Sequence, residues 1–267
     1  MIIFKSINKL NKEVNFKADI GFVPTMGALH QGHVSLIKKS QKICKKTLVS
    51  IFINPAQFNN KKDYEKYPKN IQKDLKLLKS HKVDYVLIPN IKDVYGNKGK
   101  KKFKIIKSKK ILCAKYRPGH FEGVLNVINQ FIKKIKINKI FLGEKDYQQY
   151  ILIREFLKKN SKVKTILCKT IRMNNGLACS SRNKLLDNNS IKEAASLVSN
   201  IKKIFNSLKK NLKNQSIIKD FIDENKKINI EYLELRNKNN LSKKINKKNA
   251  KLFIAFYIKG IRLIDNF

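Results

Sequence analysis

Gly21-Phe22-Val23-Pro24-Thr25-Met26-Gly27-Ala28-Leu29-His30-Gln31-Gly32-His33 is the stretch on which the fold turns. The apolar run Ile20–Val23 reads as a buried strand, and Pro24, which cannot donate to a sheet ladder, is expected to end it. Gly27 and Gly32 let the backbone turn tightly and come close to a ligand. A helical pattern starts at His33. A strand, a glycine-containing turn and a helix start together make an anion site, because free N–H groups and the helix dipole favour negative charge there. The backbone of that site is Met26, Gly27, Ala28, Leu29, His30, Gln31, Gly32 and His33. His30 and His33, three residues apart, share one side of the first turn. They can offer hydrogen bonds, or a proton, to a phosphate that is gaining charge. A lone histidine would read as a surface or capping residue, but His-x-Gly-His directly after a strand favours the phosphate reading.

Outward from this turn, strands alternate with helices. Thr47–Asn54 is rich in β-branched residues and reads as a second strand. Asp63–Lys82 reads as a loop and then a helix, with Ile71, Leu75 and Leu78 at helical spacing. Val83–Ile88 reads as a third strand ended by Pro89, and within the polar stretch Asn90–Lys110 the piece Phe103–Ile106 could form an edge strand. Phe121, Val124, Leu125, Ile128, Phe131, Ile132 and Ile135 mark the clearest amphipathic helix. Lys139–Gly143 is a strand, Asp146–Lys159 a helix and Val163–Ile171 a strand. Such alternation predicts an α/β fold, a parallel sheet with helices on both faces, and a ligand at the carboxyl ends of its strands. After about Met173 the pattern becomes two helices followed by three strands. The expected domains are a catalytic unit over residues 1–172 and a smaller α+β unit over residues 173–267.

The chain has 267 residues, of which 42% are hydrophobic, enough for a sizeable core and too many for a disordered chain. It contains no run of about 18 apolar residues and no signal-peptide pattern at Met1–Leu10, so a cytoplasmic protein without a membrane partner is expected. Cys44, Cys113, Cys168 and Cys179 are scattered and read as reduced core residues, and no metal-ligand spacing is present. There is no Gly-x-Gly-x-x-Gly and no Gly-Lys-Ser/Thr loop, so neither a dinucleotide site nor a P-loop is supported. The net charge of +41 would ordinarily point to nucleic acid. Here the lysines are dispersed among Asn and Ile, Arg is scarce and aromatics are not interleaved. That pattern fits a coding bias better than a binding footprint, and no specific nucleic-acid partner is expected. The positive field should still attract anionic substrates.

Three further constellations carry chemistry. Asn54-Pro55-Ala56-Gln57-Phe58 follows the second strand; its amides could fix hydroxyl and carboxylate groups of a small substrate, although Asn-Pro alone is a turn signal. Gly143-Glu144-Lys145-Asp146-Tyr147-Gln148-Gln149 repeats the strand–turn–helix logic. Lys145 there can neutralise phosphate oxygens, and Asp146 can cap the helix or accept from ribose hydroxyls. Cys179-Ser180-Ser181-Arg182-Asn183 sets two hydroxyls and a guanidinium in a row, a compact phosphate grip.

The His-Gln-Gly-His turn resembles the signature of nucleotidyltransferases and class I aminoacyl-tRNA synthetases. The longer segment Pro-Thr-Met-Gly-Ala-Leu-His-x-Gly-His resembles the pantoate–β-alanine ligase family. Ile-Phe-x-Asn-Pro-x-Gln-Phe, Arg117-Pro118-Gly119-His120-Phe121, Gly-Glu-Lys-Asp-x-Gln-Gln, Ser-Ser-Arg-Asn and the closing Arg262-Leu263-Ile264-Asp265-Asn266 follow in the family's order. The resemblance implies a Rossmann-like catalytic domain, a C-terminal domain closing over the ATP site, and a homodimer. It implies a two-step reaction of ATP and Mg²⁺ with pantoate and then β-alanine, through pantoyl adenylate. In residue terms it implies His33, His30, Lys145 and Arg182 as catalytic. Gly143, Glu144 and Asp146 are expected on the nucleotide, with Ile171, Cys179, Ser180 and Ser181. Pantoate falls to Gln57, Gln149 and Asn54, and β-alanine to Gln57. His120 is given a positioning role only. Two departures stand out: Ala114 replaces a usual glycine, and Cys179 replaces a larger apolar residue beside the adenine. The competing readings are a nucleotidylyltransferase with another acceptor, and a basic nucleic-acid-binding protein.

Overall fold

The computed structural model describes residues 1–59, 61–96 and 103–267. Strands β1 (Ile2–Phe4), β2 (Ile20–Thr25), β3 (Lys46–Ile51), β4 (Tyr85–Leu87), β5 (Lys139–Gly143) and β6 (Lys164–Cys168) form one sheet. Its order is β1-β4-β3-β2-β5-β6, with every neighbouring pair parallel. The helices are α1 (Ile7–Glu13), α2 (Gln31–Ile43), α3 (Lys61–Glu65), α4 (Ile71–Ser80), α5 (Ile91–Tyr95), α6 (Cys113–Tyr116), α7 (His120–Lys134) and α8 (Tyr147–Asn160). Side chains alternate across each strand. Phe22, Leu48, Ile140 and Leu142 therefore pack with α1, α5, α7 and α8, while Val23, Val49 and Phe141 pack with α2 and α4 on the other face. The expected layering holds.

The sheet's chain order reverses direction between β2 and β5, the place where such folds bind ligands. Only Gly21↔Lys139 and Phe22↔Ile140 are paired there, so beyond Phe22 the two strands part and a cleft opens. This corrects the expectation that Pro24 ends β2: the strand continues to Thr25, with Pro24 opposite Ser50 of β3. Successive residues of a strand aim their backbone groups to opposite sides. Asp19 and Thr25 carbonyls bond toward β3 and the Ile20 carbonyl toward β5, so position 24 faces the β5 side, where the ladder has already ended. A missing N–H costs nothing there.

Other boundaries moved. Ile2–Phe4 forms an edge strand that its short, half-exposed pattern did not announce. Phe103–Ile106 is not a strand: Ile105 turns into the core while Ile106 is 64% exposed. The preceding part of that polar stretch, positions 97–102, lies outside the described residues. Ile71 of the helical triplet is also solvent-facing, at 41% exposure.

The rest of the chain forms α9 (Asn188–Lys210), α10 (Ser216–Glu224) and an antiparallel sheet of β7 (Asn229–Asn237), β8 (Ala250–Ile258) and β9 (Ile261–Asn266). Along β8, Leu252, Ile254, Phe256 and Ile258 pack against α9 and α10. Phe253 and Ala255, on the opposite face, join the main core. The second unit is thus docked onto the first through the back of its own sheet.

Candidate active site

The turn after β2 is held from beneath. Thr25 Oγ1 donates to the Ser50 carbonyl at 2.7 Å and accepts from Gly27 N at 3.2 Å. Gly27 has φ 77°, the left-handed region that glycine enters without strain. Asp74 of α4, 3% exposed, then accepts from Ala28 N and Leu29 N, each at 2.8 Å. The amides of this turn are therefore committed to the protein. Gly32 N donates to His30 Nδ1 at 3.1 Å, and His33 N to the His30 carbonyl at 2.8 Å. The expected cradle of free N–H groups is replaced by side-chain donors. Gly27, Ala28 and Leu29 are buried under the cleft and Gln31 points to solvent; of positions 26–33, Met26, His30, Gly32 and His33 line it, after Pro24 and Thr25 of β2.

The two histidines form a reciprocal cap on α2. His30 is the N-cap, and its own N–H donates to His33 Nδ1 at 3.3 Å. Both Nδ1 atoms accept from backbone amides, so each neutral ring carries its proton on Nε2. The ring centroids are 4.1 Å apart. Burial, then the neighbouring His33 and the lysines Lys145 and Lys184, pull His30 down to about 2. Burial also dominates at His33, which falls to about 4 against the opposing pull of Asp146. At neutral pH both rings are uncharged, each with an Nε2–H left to donate.

Facing them, β5 ends at Gly143 and a 3-10 turn, Glu144–Asp146, leads into α8. Lys145 Nζ lies 3.3 Å from Asp146 Oδ1, and both line the cleft with Gly143. Glu144 does not: its carboxylate turns back to Lys251 Nζ at 2.9 Å. On the far wall, Ser180 Oγ caps a 3-10 turn by accepting from Arg182 N at 3.3 Å. Ser181 Oγ lies 3.2 Å from Tyr67 Oη, and Arg182 Nη2 donates to Asp63 at 3.0 Å. Ile171 and the half-buried Cys179 complete that wall, with the Ile171 carbonyl accepting from Cys179 N at 2.9 Å. Ser50 Oγ and Thr170 Oγ1 also line the cleft, are buried, and have no hydrogen-bond partner among the described residues. Buried polar groups left open in this way are expected where a ligand binds.

The inner end is built around Gln57, 8% exposed, with Gln149 and the apolar side chains Phe52, Val124, Ile128 and Phe131. Asn54 does not reach the cleft. It is fully buried, donates to Gln57 Oε1 at 3.1 Å and the Gly123 carbonyl at 3.2 Å, and accepts from Ala56 N and Tyr95 Oη. With every site filled it orients Gln57 instead of holding a substrate. Gly123 allows this, since a Cβ there would meet the Ala56 carbonyl oxygen at 2.2 Å. Arg117 cannot accept, so at 3.0 Å it donates to His120 Nε2; His120 Nδ1 then donates to the Gln57 carbonyl at 2.6 Å. Burial and Arg117 hold the His120 pKa well below the usual value. His120 thus links Arg117 to the main chain of Gln57. Ala114 sits in α6, and the left-handed residue of this segment is Leu112 (φ 50°).

The sequence model of the pantoate–beta-alanine ligase family matches residues 2–267. The chain belongs to this family. It is 43% identical to the pantothenate synthetase of Leptospira interrogans serovar Lai, covering 100% of this chain and 97% of that protein. It is 42% identical to that of Francisella tularensis subsp. novicida, again over 100% of this chain and 97% of the other. Among solved structures it superposes on pantothenate synthetase from Thermus thermophilus with a TM-score of 0.92 at 26% identity, covering 100% and 99% of the two chains. It superposes on the Francisella tularensis pantoate–beta-alanine ligase complexed with beta-gamma ATP and beta-alanine with a TM-score of 0.83 at 37% identity, over 100% and 97%. This chain is therefore a ligase, and its α/β architecture is that of its relatives.

The cleft is also built from residues that no motif marked. Asp74 carries one signal in the sequence: it lies four residues before the fully buried Leu78, on the same helical stripe. Tyr67 and Asp63, from a segment read as loop, meet the Ser181–Arg182 turn, and Lys169 and Thr170 line the cleft beside Ile171.

Proposed function

We propose that this ligase condenses pantoate with β-alanine at the β2/β5 cleft, consuming ATP in two steps. In the first, a pantoate carboxylate oxygen attacks the α-phosphorus and the bond to the β-phosphate oxygen breaks, giving pantoyl adenylate and pyrophosphate. In the second, the β-alanine nitrogen attacks the acyl carbon, AMP leaves, and the nitrogen gives up a proton. Carboxylate and triphosphate repel each other, so the first step depends on donors and cations that meet charge as it develops. The observation that carries this reading is the His30–His33 pair, locked by backbone amides as two Nε2–H donors opposite Lys145. Arg182, Ser180 and Ser181 would grip the phosphates from the other wall. Asp146 and Gly143 would hold the ribose and Ile171 and Cys179 the adenine. Gln57 and Gln149 would hold pantoate, with Gln57 also meeting β-alanine and Asn54 and His120 orienting it.

The nucleotide would enter as its magnesium complex. Mg²⁺ keeps several waters and takes phosphate oxygens with one or two carboxylates. Asp146 in the cleft is a carboxylate of that kind, and no cluster of three or more His, Cys, Asp or Glu side chains that could hold a resident ion is found among the described residues. Closure of residues 173–267 over the nucleotide would exclude water from the adenylate.

A homodimer and a cytoplasmic setting are proposed from the family resemblance; among the described residues, no helix is long and apolar enough to cross a membrane. Light scattering tests the dimer. No specific nucleic-acid partner is proposed; sub-micromolar, sequence-dependent binding at physiological salt would overturn that. A single turnover with ATP and pantoate alone tests the chemistry: pyrophosphate and a bound acyl adenylate are expected. Pyrophosphate that waits for β-alanine would sink the two-step order.

A further inference from the structure

The turn that carries Lys145 is gripped from behind by the C-terminal sheet. Asn266 of β9, 4% exposed, donates from Nδ2 to the Glu144 carbonyl and the Lys145 carbonyl, both at 2.9 Å. Lys251 of β8 holds the Glu144 side chain at 2.9 Å and lies 4.7 Å from the centre of the Tyr147 ring. Asn266 is itself fixed. Its N–H donates to Asp265 Oδ1 at 2.8 Å, and Asp265, 3% exposed, is bound by both guanidinium nitrogens of Arg172, at 2.6 Å and 3.0 Å. Arg172 follows Ile171 directly in the chain. Asp265 and Asn266 therefore join the segment lining one wall of the cleft to the turn lining the other.

We propose that Asn266 is a positioning residue for adenylation. It lines a small pocket behind the cleft that shares Lys145, Asp146 and Gln149 with it, and acts by fixing the backbone from which Lys145 reaches the phosphates; this rests on the ligase reading above. A 3-10 turn of three residues has poor hydrogen-bond geometry of its own. The carboxamide takes two of its carbonyls at once, so the root of the Lys145 side chain is set by a residue 121 positions away. A lysine is a point charge on a flexible stem, and its aim depends on where that stem begins. Displacing a catalytic group by about 1 Å can cost about 10²-fold in rate.

The test is a double-mutant cycle on pyrophosphate release with ATP and pantoate. Asn266→Asp keeps the side chain's size, removes the two N–H donors and sets a carboxylate against two carbonyls; Asn266→Ser is the milder second variant should the first fold poorly. Each should lower kcat by about 10- to 100-fold while the KM for pantoate stays within about twofold, because Gln57 is rooted in the turn after β3 and Gln149, although it follows the Lys145 turn, is held within α8 by that helix's own hydrogen bonds. In a Lys145→Ala background the same substitutions should cost less than about twofold further. Leu208→Ala, on the buried face of α9 and away from the cleft, controls for stability: it should lower Tm comparably and leave kcat intact below the transition. Wild-type kcat in the Asn266 variants, or losses that multiply with that of Lys145→Ala, would overturn the proposal. If the wild-type chain releases no pyrophosphate, the ligase chemistry is what fails, and the same cycle read by calorimetric titration with ATP still reports the Asn266–Lys145 coupling.

Discussion

Asp63 Oδ2 stands 3.0 Å from Arg182 Nη2 and ties α3 to the serine-rich turn of the cleft. The cation expected to grip the triphosphate is thus already paired, and nucleotide has to compete with a carboxylate for it. Both side chains remain partly exposed, so the pair is worth no more than about 1 kcal/mol. Asp63→Asn should therefore lower the KM for ATP by less than about fivefold, whereas Arg182→Ala should cut kcat. Steady-state kinetics over an ATP series distinguishes these; a raised KM for ATP in Asp63→Asn would mean that Asp63 aids binding.

His33 and Gln57 should fail in different ways. His33 is a fixed donor where charge develops, so His33→Ala should lower kcat for adenylation by about 10²–10³ with little change in the KM for ATP. Gln57 should hold pantoate alike in ground and transition states, and Gln57→Ala should mainly raise the KM for pantoate. A pyrophosphate assay across a pantoate and ATP grid checks both; an unchanged kcat in the first, or an unchanged KM in the second, rejects that assignment.

Asp74 should matter for stability and rate together. Asp74→Ala strands the amides of Ala28 and Leu29 in the interior, and hydrogen bonds to a charged acceptor contribute about 1.5–3 kcal/mol each. Urea unfolding should show a loss of about 3 kcal/mol or more, and kcat should fall even where the protein remains folded. A loss below about 1 kcal/mol would mean that the turn holds itself.

Acid should destabilise the fold earlier than carboxylate protonation alone would. His30 and His33 have folded-state values of about 2 and about 4, below the usual 6.5. Their contribution is complete above pH 6.5 and is lost as pH falls from there toward pH 4 and below, because the unfolded chain takes up protons that the folded chain refuses. His120, also held neutral by burial, adds to the same slope. Thermal melts between pH 4 and 8 should show Tm falling below pH 6.5, with a shallower slope in His33→Gln. A Tm that rises as pH drops from 7 to 5 would contradict this.

What the sequence made legible follows physical range. The helix from His120 to Lys134 carries a periodic apolar pattern and the strand Lys139–Gly143 an unbroken apolar run, and both formed where expected. Each stretch of the site that could be read was contiguous: a turn, its glycine and its flanking strand. Its supports were not contiguous. Asp74 grips a turn 46 residues upstream, and Arg182 meets Asp63 across 119. A single polar residue has no local pattern that names its distant partner. Nor does a glycine turn reveal which of its amides will already be spent, which is why the N–H cradle gave way to imidazoles and why Asn54 moved behind Gln57. Pro24 broke a rule that holds for two-sided strands, at the one end where β2 has a single neighbour.

That divergence of β2 from β5 after two paired residues has a mechanical consequence. At the cleft the sheet lacks rungs, and it is cut nearly through its middle, with β1, β4, β3 and β2 on one side and β5 and β6 on the other. A nucleotide lodged there would touch the end of each half, His30 and His33 from one and Lys145 from the other. Substrate would then act as a cross-tie between two half-sheets, and the enzyme would be stiffest along that line when loaded and most yielding when empty.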